Sequence, residues 1–143
     1  WLRRAMQTML SNLFGVNAKA HEVPHALVGA SCLLFMVPAC VAFAHGDELN
    51  GAALLLVSLC AFMADYQCLA TAWNVVDRWV GALYAVSLSR QCFPKGPALV
   101  ICNVGVIIGM LSYSQSSQTP QQWVWRHSLW HVTMCIDLTF FVL

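Results

Sequence analysis

The side chains able to do chemistry are few and widely spaced in an otherwise apolar chain. His127 and His131 stand four residues apart in WVWRHSLWHVTMCIDLTFFVL, Trp123 to Leu143. On a helix that spacing stacks both imidazoles on one face. Asp65 and Asp77 are the carboxylates that could join them. Two neutral imidazoles and one or two carboxylates are a ligand set for a divalent cation such as zinc. A coordination position left to water would give that water a lowered pKa and make it a hydrolytic nucleophile. A second use of the same residues is structural. Asp65 and Asp77 would pair with Arg78 and Arg126 across helices, and the imidazoles would hydrogen-bond inside a bundle. A third use belongs to single histidines, because an imidazole on an apolar helix can ligate chlorophyll magnesium or haem iron. His131, His25 and His45 are the candidates.

Such residues need helices to hold them, and the composition says where those helices lie. Of 143 residues, 59% are hydrophobic and 9% charged. Ordinary soluble domains carry about 25% charged residues, so this surface is suited to lipid. The net charge of +1 gives no basis for nucleic-acid binding. The seven cysteines form no CxxC pair. Cys32, Cys40, Cys60, Cys102 and Cys135 lie inside apolar runs, as small buried hydrophobes do.

The pattern predicts an all-α polytopic bundle of about five membrane spans in one domain. They cover about 25–44, 51–67, 74–89, 98–113 and 123–143, after an interfacial segment at 1–20. In that segment Leu2, Met6, Met9, Leu10, Leu13 and Phe14 alternate with Arg3, Arg4, Gln7 and Asn12, as in an amphipathic helix lying on a membrane. Pro24 is expected to start the first span and Pro38 to kink it. The chain opens on Trp1 rather than Met, as it would after loss of a targeting segment or where the real N-terminus lies outside this sequence.

Alternating five helices gathers the polar residues. The end of span two and the starts of spans three and five reach one leaflet, bringing Asp65, Asp77, Arg78, Arg126, His127 and His131 together, with Ser58 deeper. Asp137 faces away from His131 and is expected to find a polar partner on another helix or another chain. Basic residues number five on the N-terminal side and two on the other. The positive-inside rule then places the N-terminus on the cytoplasmic, stromal or matrix side.

Ser58, Asp65, Asp77 and HSLWH together resemble the CREST superfamily of seven-helix membrane proteins. Its pattern is a Ser followed four residues later by His, an Asp near the next helix, and HxxxH in the last helix. The resemblance implies a zinc-dependent lipid amide or ester hydrolase, with His127 and His131 as ligands and Asp77 at the Asp position. It covers roughly 55–90 and 123–135. Phe62 stands where the first ligand His would be, and Asp65 is the available substitute. With five spans instead of seven, the chain would be a shortened member with a rebuilt site.

Short loops, no soluble domain and a Trp-rich edge lead the functional expectation elsewhere. The first reading is a small accessory subunit of a large organellar membrane complex. A thylakoid photosystem is favoured over a mitochondrial assembly, with other integral-membrane subunits and lipid as partners and chlorophyll and carotenoid contacted through the host. The zinc hydrolase is the alternative.

Overall fold

The structure, a computed structural model, describes residues 22–69, 71–94 and 96–142. The expected interfacial helix at 1–20 lies outside them. Among the described residues there are five helices and no strand. Helix α1 is Ala26–Ala44 and α2 is Glu48–Gln67. Helix α3 is Ala72–Cys92, α4 is Pro97–Gln115 and α5 is Pro120–Val142.

Each start has a local cause. Pro24 is not the first helical residue; His25 is the extended N-cap, and its Nδ1 accepts the Leu27 N–H at 3.1 Å. Asp47 caps α2 by accepting from Asn50 N, so that helix begins three residues before the expected 51. Thr71 and Asn74 form a reciprocal capping box at α3, which satisfies two backbone donors at once. Pro97 is the first residue of α4, where its missing N–H is not needed. Gly46 turns the chain between α1 and α2 at φ 76°, a left-handed conformation that costs glycine no steric penalty.

Pro38 leaves its mark one turn earlier. It has no N–H to give to the Leu34 carbonyl, and α1 tightens into a 3-10 turn at Leu33–Phe35. Neighbouring helices fill in. Cys135 Sγ donates to Leu34 O at 3.2 Å and Ser58 Oγ to Cys32 O at 3.0 Å. The irregular stretch of α1 is therefore tied to α5 and α2.

Helix α1 packs on α2 and α5, α3 packs on α2, and α4 packs on α5 with slight contact to α3. Val28, Phe35, Leu54, Trp123 and Met134 contribute to one buried core. A glycine sets the approach of α1 to the end of α2: a Cβ on Gly29 would lie 2.8 Å from Tyr66 Cγ.

Three helices, α1, α2 and α4, are long and apolar enough to cross a membrane. This agrees with an integral membrane protein. Helices α3 and α5, at 21 and 23 residues, have sufficient length, since about 20 residues cross the hydrocarbon core. Asn74, Asp77, Arg78 and Arg90 in α3, and Arg126, His127, His131 and Asp137 in α5, make them more polar.

Candidate functional site

The first turns of α5 meet the end of α2 and the start of α1. His127 Nε2 lies 2.9 Å from Asp65 Oδ2, and His131 Nε2 lies 3.5 Å from the same oxygen. The two imidazoles meet edge to face, with centroids 4.6 Å apart, as the four-residue spacing predicts. Trp123 stacks on His127 at 5.0 Å, and Phe35 meets His131 edge-on at 5.5 Å. Aromatic rings thus cover the outer sides of the pair. His131 is 2% exposed.

The second nitrogen of each ring meets a serine. Ser114 Oγ, near the end of α4, lies 2.9 Å from His127 Nδ1. Ser31 Oγ, in the second turn of α1, lies 2.9 Å from His131 Nδ1. The result is a chain of five side chains, Ser114–His127–Asp65–His131–Ser31, drawn from four helices.

Proton bookkeeping assigns the tautomers. Ser31 Oγ donates to Val28 O at 2.7 Å, so its single proton is used and His131 Nδ1 must be the donor to Ser31. In a neutral imidazole the Nε2 is then an acceptor. It faces the acceptor oxygen of Asp65 at 3.5 Å, too long for a good hydrogen bond. On the other branch Ser114 donates to His127 Nδ1, and His127 Nε2–H donates to Asp65. One imidazole is therefore hydrogen-bonded to the carboxylate, and the other confronts it lone pair to lone pair. That junction needs a proton or a cation.

Cys32 Sγ lies 3.7 Å from His131 Nδ1. The ligand atoms of Cys32, Asp65 and His131 all fall within 4.8 Å of one another. Of the four residues proposed as metal ligands from sequence, Asp65, His127 and His131 are brought together.

Other expectations land differently. Arg126 does not reach across to an aspartate; it donates to Ser116 Oγ at 2.9 Å and lies over the Tyr113 ring at 4.6 Å. Ser58 is spent on the Cys32 carbonyl, and Phe62 packs on Tyr66. Asp137 finds its partner on α4, accepting from Asn103 Nδ2. A pigment magnesium needs an outward imidazole nitrogen. Both nitrogens of His131 face protein side chains, whereas exposed His25 spends only Nδ1 on the α1 cap and His45 is exposed at the far end of α1.

The sequence singles out neither Ser31 nor Ser114, and it reads Cys32 only as a small buried hydrophobe. A serine in GASC or SYSQ reads as a small packing residue. The only available signal was position, since each falls at the same leaflet end as the histidines once the helices alternate. Searches against protein-family models, curated proteins and solved structures return no match.

Proposed function

We propose that the chain is a small five-span membrane protein that serves as an accessory subunit of a larger organellar assembly, with the Asp65 cluster locking its helices together. The observation that carries this reading is the closure of the cluster. Its imidazoles are 14% or less exposed, their outer sides are covered by rings, and two surface cavities lie elsewhere, against Trp125, Gln121 and their neighbours. A buried network whose imidazole Nδ1 atoms are held by Ser31 and Ser114 suits bracing better than turnover.

Five crossings are favoured by the cluster itself. Ser114 near the end of α4 and Asp65 near the end of α2 both bond His127. The two helix ends therefore share a level, and α3 must carry the chain back across between them. The basic residues put that level on the stromal, matrix or cytoplasmic side. Helix α4 supplies the outward surface: 11% of its apolar window is buried, against 44% in α1 and α2. The imidazole geometry gives a photosystem or pigment no particular support, so the proposal is to assembly and not to one host. The test is the size of the complex in native membranes solubilised mildly, read by native gel and crosslinking. Recovery of the chain with other membrane subunits is expected, and a stable, monodisperse monomer would overturn the reading.

One observation favours the hydrolase alternative, namely the convergence of His127 and His131 on Asp65, three of the ligands that the CREST resemblance implies. Chelator-sensitive hydrolysis of a lipid amide or ester by the purified chain, lost in His127→Ala, would establish it.

A further inference from the structure

We propose that the surface at the first turns of α1 and α5 binds one anionic phospholipid, with its phosphate against Arg126 and one acyl chain between the two helices. The site is separate from the Asp65 cluster and needs no host complex. Helix α4 is apolar enough to cross a membrane and ends at Gln115. The residues that follow it therefore lie at headgroup level whether three helices cross or five.

Two cavities share Gln121 and Trp125 as a common wall. On one side Tyr113, Thr119, Gln122 and Arg126 line a volume of about 350 Å³. On the other, Val23, Leu27, Pro120 and Val124, with His25, line about 320 Å³. Cavities of roughly 300–1,000 Å³ accept small ligands. A polar cavity that carries a cation, set beside an apolar one, fits an amphiphile with an anionic head. Trp125 is 65% exposed, and Trp is favoured at headgroup depth. Leu27 and Val124 lie further along their helices than Val23 and Pro120, so the apolar cavity leads from the headgroups toward the hydrocarbon.

The Arg126 guanidinium is held ready for an anion. It lies over the Tyr113 ring at 4.6 Å and donates from Nη1 to Ser116 Oγ at 2.9 Å. Those contacts fix its plane and use one of its five N–H donors. Among the described residues no carboxylate lies within ion-pair distance of it. The remaining donors suit a phosphate, which can accept two parallel N–H bonds from a guanidinium. Gln122 Oε1 accepts from Gln118 N at 3.1 Å, which leaves the Gln122 amide N–H groups for the ligand. Thr119, Gln121 and Gln122 also place the positive end of the α5 dipole in the same wall.

The experiment uses the full chain in detergent micelles, titrated with phosphatidylglycerol or with phosphatidylcholine of the same acyl chains and read by native mass spectrometry. The first lipid carries a net negative charge; the choline of the second cancels it. One phosphatidylglycerol per chain is expected, bound about 10-fold or more tighter than phosphatidylcholine. Arg126→Gln should weaken it roughly 10- to 100-fold, as loss of a charged hydrogen bond does, and Arg126→Lys should weaken it less. Leu27→Trp fills the apolar cavity and should weaken both lipids while keeping the preference between them. Arg90→Gln, at an exposed arginine of α3, should change neither. Equal affinity for the two lipids, or a preference that survives Arg126→Gln, would overturn the site. Full affinity in Leu27→Trp would overturn the place of the acyl chain. Inorganic phosphate that displaces the lipid at equal concentration would overturn the lipid as the occupant. The accessory-subunit reading fails separately, on the size of the native complex.

Discussion

Asp65 accepts the Nε2–H of His127 inside the bundle, so its removal strands that donor. Leaving a buried donor without its acceptor costs about 1–3 kcal/mol. Asp65→Ala should lower stability by that order, and Asp65→Asn by less, because the amide oxygen still accepts from His127. Thermal unfolding in nanodiscs followed by circular dichroism would read both; an Ala variant within about 1 kcal/mol of the parent would mean the carboxylate is not a brace. Asp47 offers a pH-dependent comparison outside the spans. Its bonds from the Asn50 side chain and backbone hold its carboxyl below the usual carboxylate range. A depressed native pKa stabilises above the unfolded value of about 3.9 and loses that stabilisation as pH falls through the native value. Asp47→Asn keeps a cap acceptor and removes the charge. The parent should exceed it in melting temperature at neutral pH, and the gap should narrow below about pH 4. At this scale the sequence is informative about Asp65, His127 and His131, because helical spacing and alternation fix their level. It is silent on Arg126, whose long side chain reaches Ser116 and Tyr113 as readily as an aspartate.

Helix contacts turn on a few small residues. A methyl on Gly29 would meet Tyr66 Cγ at 2.8 Å, an atom at the base of a ring and unable to swing aside, whereas nothing lies within 4 Å of a Cβ on Gly105. Overpacking of this kind costs typically about 1–3 kcal/mol. Gly29→Ala should therefore destabilise by that amount. Gly105→Ala should be neutral or stabilise by up to about 1 kcal/mol through helix propensity. Equal effects in paired melts would refute the close approach of α1 and Tyr66. Helix positions are legible from apolar run length; the structure keeps the ends at 44 and 67 and moves six others outward by one to three residues. Capping side chains account for two of those shifts: Asp47 and Thr71 hold polar first turns, which hydropathy excludes. The 3-10 turn of α1 was foreseeable only as a kink at Pro38. Its ties to Ser58 and Cys135 depend on which helices lie alongside, and run length carries no such information.

At the scale of the whole molecule, the number of crossings decides where every loop lies. If only α1, α2 and α4 crossed, the α1–α2 turn at Gly46 and the α4–α5 connection at Gln118 would share a side. If all five helices cross, α3 reverses the direction of α4 and the two loops lie on opposite sides. The bond network prefers the second arrangement, because Ser114 and Asp65 reach the same imidazole and Asp65 lies across α2 from Gly46. Single cysteines introduced by Glu48→Cys and Gln118→Cys, in a chain with its seven native cysteines replaced, discriminate the two cases. Glu48 and Gln118 are both exposed, so neither position should disturb packing. A membrane-impermeant maleimide added to sealed vesicles of one orientation should label one position and spare the other until detergent is added. Labelling of both before detergent would reduce the crossings to three. It would also pull α4 away from the α2 end of the bundle, and the Ser114–His127 bond would have to go with it.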